Sequence, residues 1–220
     1  MNRHHKADTM GSEHRGVDSH VVRVYVDGCC EPVNPGGIAT YGFVVYVGSK
    51  KVYEENGVIG VGALGDDVSN NVAEYVALIN ALKYILDSRF RNKEIIIFSD
   101  SQLVVRQIKG RYRVRAPRLV VLHQKAMELL SRIRNCRVEW IPREMNEEAD
   151  RLSKRAYIDF IRNNEELVRR YYAKYLISRD EIELLKAYGI DVEYWMSKIE
   201  ARRLLRKLKR EKFRAHKSRS

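Results

Sequence analysis

Cysteine, proline and long apolar runs are all scarce in this chain, and each shortage closes off a class of protein. Three cysteines stand among 220 residues, adjacent at Cys29 and Cys30 and alone at Cys136. They make neither a disulfide framework nor a CxxC metal knuckle. A reducing compartment is the default for such a chain, and a cytoplasmic location is expected. Apolar runs last only a few residues, so no segment reads as a membrane span. The first residues hold charges and histidines where a secretory signal would have an apolar stretch. Four prolines and 13 glycines are too few for a collagen-like repeat or a disordered chain.

Acids are also in the minority, at 29 against 41 Lys and Arg, for a net charge of +12. The excess is uneven. Residues 1–20 are balanced and hold four of the six histidines, whereas residues 201–220 carry ten bases and one acid. Such a tail fits either a polyanion partner, most often nucleic acid, or a merely solubilising end. Residues 1–20 read as a disordered leader. With almost no acids, residues 201–220 are expected to stay out of any core.

Between these ends the pattern is that of a folded domain. VVRVYVD (21–27), ATYGFVVYVG (39–48) and KKVYEENGVIG (50–60) read as three strands with short connections, an antiparallel meander. Residues 69–88 carry Val72, Tyr75, Val76, Ile79, Leu82 and Ile85 at helical spacing, with Ser69, Asn70 or Asn71 as caps. EIIIFSD (94–100) is a buried strand reached by a crossover, so it is expected to run parallel to an earlier one. Two further helices (101–110 and 119–134), a last strand (137–142) and a helix over 146–161 complete the order βββαβααβα, an α/β fold with a mixed sheet. Residues 161–220 read as a helical, basic extension, with capping-box spacing from Ser178 to Glu181, a stop at Gly189, and a final helix from about Val192.

Four acids occupy informative places. Asp27 and Asp100 each end an apolar strand and precede a turn; Glu74 and Asp150 lie early in helices. If the two strands are parallel neighbours, both aspartates reach the C-terminal edge of the sheet, where open α/β sheets bind ligands. Taken singly, each acid could be a turn former or a favourable helix-start charge. Gathered together they would raise one another's pKa unless cations intervened. All-oxygen ligation suits Mg²⁺ or Mn²⁺ and not zinc, and a pair of such ions suits phosphoryl displacement.

The blocks VYVDGCCEPVNPGG, SNNVAEYVAL, IIIFSDSQLVVRQI and WIPREMNEEADRLSKRA, in that order over residues 21–160, resemble type 1 ribonuclease H and its reverse-transcriptase-like relatives. The resemblance implies the ribonuclease H-like fold, with a five-stranded mixed sheet and helices on both faces. It implies hydrolysis of the RNA strand of an RNA/DNA hybrid with two Mg²⁺ ions, leaving 5′-phosphate and 3′-hydroxyl ends. It casts Asp27 as the acid shared by both metals, Asp150 as completing the metal beside the nucleophilic water, and Glu74 and Asp100 as completing the other. It places Asn34, Asn70, Asn71 and Gln102 in the minor groove of the substrate, where the 2′-hydroxyl distinguishes RNA from DNA, and Ser69 at a DNA phosphate.

The sequence departs from the family in two places. The turn after Asp27 is one residue longer, and the loop before Asp150, IPREMNEEA, lacks the family's histidine. Arg143 is its nearest substitute, with a plain surface arginine as the alternative; His123 reads as packing. The run Lys109, Arg111, Tyr112, Arg113, Arg115 and Arg118 is a second basic cluster that could meet phosphates. The expected protein is a monomeric metal-dependent endoribonuclease whose basic tail binds additional nucleic acid. The competing readings are a non-cleaving nucleic-acid-binding protein of the same fold and a nuclease acting on DNA junctions.

Overall fold

The computed structural model describes residues 21–217, with side chains through Lys212, so the expected leader at residues 1–20 lies outside the described residues. Five strands, β1 (Val21–Glu31), β2 (Ile38–Val47), β3 (Lys50–Val61), β4 (Glu94–Ser99) and β5 (Cys136–Trp140), form one sheet in the order β3-β2-β1-β4-β5. The first three are antiparallel neighbours, and β4 runs parallel to both β1 and β5. The parallel pairing that the crossover requires is therefore present, and it brings Asp27 beside the end of β4, where Val26 pairs with Ser99. Asp27 does not end its strand as expected: β1 runs four residues further to Glu31, because β2 continues to pair with it through Ile38.

Alternation along β1 sorts its side chains between two layers. Val22, Val24 and Val26 enter the main core with Leu78, Leu82 and Ile85 of α1 (Asn70–Asp87) and Ala126 and Leu129 of α3 (Pro117–Ser131). The short α2 (Gln102–Ile108) follows β4. The opposite face is covered by α4 (Glu147–Asn163), which packs on β1, β2 and β3 and runs three residues beyond the expected domain boundary.

Two glycines let these helices come close enough to matter. A Cβ on Gly28 would lie 2.2 Å from the carbonyl carbon of Ala73, in the first turn of α1. A Cβ on Gly42 would lie 2.5 Å from the Leu152 Cβ and 2.6 Å from the Ser153 nitrogen, in α4. Gly42 pairs directly with Asp27 across the β1–β2 ladder. Both helices thus press against the backbone beside that aspartate, one on each face.

The extension folds onto the domain. In α5 (Glu165–Tyr172), Val168 and Tyr172 pack with Ile38, Val61, Tyr157 and Ile161. The Tyr172 hydroxyl accepts from the Ala63 N–H at 3.0 Å and reaches the Gly36 carbonyl at 3.1 Å. The helix α6 (Arg179–Ala187) starts with the expected Ser178–Glu181 capping box. Two expectations need correcting. The last helix, α7 (Lys198–Lys217), begins six residues later than Val192, because the chain turns at Tyr194 and Trp195 and Ser197 is taken up in an isolated bridge with Leu176. Residues beyond 200 also do enter a core: Ala201 and Leu205 are buried against Ile177, Leu185 and Val192. Charge counting missed them because the apolar positions fall at a spacing of four, on one stripe of a highly charged helix.

Candidate active site

Asp27, Glu74 and Asp100 each place a carboxylate oxygen within 4.8 Å of the others. Asp27 follows the last apolar residue of β1's core face, Asp100 follows the end of β4, and Glu74 hangs from the first turns of α1, which Gly28 admits. Asp27 and Glu74 are buried and Asp100 is half-buried. Burial pushes the Asp27 carboxyl up to about 7; the Ser153 hydroxyl bonded to it pulls the other way, and Asp100 and Asp150 add repulsion. Burial, with Asp27 and Asp100 as neighbours, drives Glu74 well above the carboxylate range. Among the described residues the Glu74 Oε2 is buried with no hydrogen-bond partner. Three clustered acids with an orphaned oxygen form a donor set for a hard divalent cation, so the residues fit such a metal.

Asp150 stands beside this group under different management. Arg143, in a short turn before α4, pairs with its Oδ1, and the Lys154 ammonium lies 2.8 Å from its Oδ2. The Ser153 hydroxyl donates to the Asp27 carboxylate and lies 3.0 Å from the main-chain carbonyl of Asp150, one turn back in α4, so it links Asp27 to the backbone that carries Asp150. Arg143 also pulls on Asp27 and Glu74 through space. It is solvent-exposed, yet it faces the acids and is not an unattached surface charge.

A sequence profile of the reverse transcriptase-like family matches residues 44–156. The crystal structure of RNase H1 from Halobacterium salinarum is 34% identical and superposes with a TM-score of 0.55, covering 63% of this chain and 98% of that one. The chain belongs to the type 1 ribonuclease H family. A curated bifunctional protein of Mycobacterium tuberculosis is 37% identical over 120 residues, which is 54% of this chain and 31% of that protein. The chain thus spans about a third of the length of the mycobacterial relatives it matches. LC11-RNase H1, solved in complex with an RNA/DNA hybrid, is 32% identical with a TM-score of 0.56, over 64% of this chain and 99% of that one.

The residues expected to line the substrate groove take definite places. Ser69 is the N-cap of α1, accepting from the Val72 N–H at 3.4 Å, and is buried. Asn34 accepts from the Asn70 N–H at 2.9 Å, and the Asn70 side-chain carbonyl accepts from the Cys30 N–H at 3.0 Å. These bonds lock the turn after β1 to the start of α1 despite its extra residue. Asn71 and Gln102 are exposed at their helix starts. His123 packs edge-on to Tyr75, as expected. In the second basic cluster, Lys109 and Arg118 are ion-paired with Glu139 and Asp67, leaving Arg111, Arg113 and Arg115 exposed.

Sequence reasoning missed three residues at this site. Buried Asn146 donates to the Val26 carbonyl at 2.9 Å and to Asp100 at 3.2 Å, fixing α4 to the ends of both acid-bearing strands. Ser153 links Asp27 to the backbone that carries Asp150. Lys154 was legible as the i+4 partner of Asp150. The other two carry no such local signal, because the partners that give them a place in the site, Val26 and Asp100 for Asn146 and Asp27 for Ser153, are more than forty residues away.

Proposed function

We propose that this protein is an endoribonuclease that hydrolyses the RNA strand of RNA/DNA hybrids with two divalent cations, Mg²⁺ or Mn²⁺, leaving 5′-phosphate and 3′-hydroxyl ends. The observation that carries the reading is the cluster of Asp27, Glu74 and Asp100 with its orphaned, buried Glu74 oxygen. Asp27 would be shared between the ions, Glu74 and Asp100 would complete one, and Asp150 the other. Divalent ions held there supply positive charge that makes a bound water nucleophilic at neutral pH and neutralises the leaving oxygen.

The chain's own residues do the rest. Asn146 and Ser153 hold the acids in register before substrate arrives, so little reorganisation is left for the reaction. Asn34, Asn70, Asn71 and Gln102 would read the minor groove and its 2′-hydroxyls, with Ser69 at a DNA phosphate. Arg143 would stand in for the missing loop histidine by holding Asp150 and yielding it as product leaves. Among the described residues no helix is long and apolar enough to cross a membrane. The protein is proposed to act as a cytoplasmic monomer, with its basic tail on nucleic acid.

The test is cleavage of end-labelled RNA/DNA hybrid, double-stranded RNA and double-stranded DNA with and without Mg²⁺. Cleavage of the hybrid's RNA strand alone, and only with metal, is the expected result. Binding of hybrid without cleavage would replace this reading with that of a non-cleaving binding protein, and cutting of DNA would replace the substrate.

A further inference from the structure

The cavity at the acid cluster is not bounded by the nuclease domain alone. It measures about 290 Å³ and is lined by Asp27, Glu31 and Glu74 on one side and by Trp195, Ser197 and Glu200 of the extension on the other. Ser197 is buried, accepts from the Glu200 N–H at 3.2 Å at the start of α7, and bonds the Glu31 side chain. The Tyr157 hydroxyl donates to the Trp195 carbonyl at 3.1 Å. The start of α7 is therefore a fixed part of the cavity wall.

From that wall a ridge leads outward. Arg203, Arg206, Lys207 and Arg210 follow Glu200 on one side of α7, at spacings of three and four, and line a shallow groove with it. Glu200 belongs to both the groove and the catalytic cavity, so the two surfaces are continuous. The ridge spans about 10 Å from 203 to 210 at the helical rise. Its charge is largely uncommitted: Arg202, which pairs with Glu181, lies outside the groove lining, and the one carboxylate contact among the ridge's described residues is Lys207 to Glu211 at 4.0 Å. The helix is held on its other side by buried Ala201 and Leu205, so these cations are presented by a docked element and not by a loose tail. Glu200, the acid at the junction, faces Lys154, which offsets it.

We propose that this ridge is a phosphate rail for the very duplex lying on the acid cluster, extending the substrate footprint past the cleavage site along α7. The inference rests on the hybrid-cleaving reading and deepens it: the basic extension grips the hybrid being cut and does not recruit a second nucleic acid. A rail of fixed position acts only on duplexes long enough to reach it, which makes substrate length its signature.

The experiment uses the full chain carrying Arg203→Gln, Lys207→Gln and Arg210→Gln together, all on the exposed side of α7. Affinity for hybrids of roughly 8 and roughly 20 base pairs is measured by fluorescence anisotropy in Ca²⁺ across a salt series. Losing three phosphate contacts should flatten the slope of log affinity against log salt by roughly 3 for the long duplex. Its affinity at low salt should fall at least tenfold, while the short hybrid changes less than twofold and is cleaved at an unchanged kcat in Mg²⁺. Arg132→Gln with Arg134→Gln, which removes exposed charge next to the start of β5, should leave both lengths unaffected. An unchanged slope and affinity for the long hybrid would overturn the rail, and so would equal losses at both lengths. A wild-type protein that cut no hybrid would sink the catalytic reading while leaving the length comparison to judge the ridge by itself.

Discussion

Asp27 and Asp150 are linked through one serine, yet the fold treats their charges in opposite ways. Asp27 is buried among other acids, and its main local relief is a hydroxyl. Asp150 is nearer solvent and has a cation on each oxygen. The first arrangement is unfavourable for the protein alone, because desolvated like charges repel; the second is complete without help. The difference separates the acids that demand an external cation from the one the protein can satisfy itself. It also places Asp27, the acid proposed to be shared by both ions, among the acids that burial and repulsion push up.

The sharpest break of this contrast is Asp27→Asn. It should lower the cleavage rate at least a thousandfold, about 4 kcal/mol of barrier, because the acid proposed to be common to both ions is lost. It should also leave the metal-free protein at pH 8 folded and no less stable, because a repelled carboxylate has gone. Turnover in Mg²⁺ and thermal unfolding check the two halves; a tenth of the wild-type rate would remove Asp27 from the chemistry.

The second test uses protons and metal in place of mutation. Asp27 titrates at about 7 in the folded state against 3.8 for an ordinary aspartate, and Glu74 shifts the same way. A raised folded-state value means the folded protein binds the proton more tightly. The contribution is fully present below about 4 and is lost as pH rises through about 7. The metal-free Tm attributable to this site should therefore fall between pH 5 and pH 8. Mg²⁺ should raise Tm more at pH 8 than at pH 5, and differential scanning calorimetry of wild type against Asp27→Asn isolates the effect. Equal Mg²⁺ stabilisation at the two values would mean that the triad does not take the ion.

The smallest effect belongs to the satisfied acid. Arg143→Ala removes one of two cations from Asp150, so steady-state kinetics should show turnover reduced several-fold, on the order of 1 kcal/mol. The KM for hybrid should change little. An unchanged turnover would reduce Arg143 to a surface charge.

Much of this site was legible because its acids sit at places where periodicity breaks. The apolar alternation of β1 ends at Asp27 and the run of β4 ends at Asp100, so the parallel pairing fixed their common edge. What stayed hidden depends on contacts far apart in sequence. Asn146 looks like an ordinary helix-start residue until Val26 and Asp100 arrive beside it. Gly28 and Gly42 look like strand irregularities until two helices close on them. The tail's charge was visible, but its apolar stripe needed the Leu185 core to explain it, and nothing local pointed from Ser197 to Glu31.

The acids enter the site from positions 27, 74, 100 and 150, and Asn146 and Ser153 secure them from the same late helix. No fragment ending before α4 holds the full set. A chain in which α4 has not yet closed over β1 carries three of the four acids without the side chains that fix them. Because domains fold as units during synthesis, assembly of the proposed centre waits on the last helix of the nuclease domain.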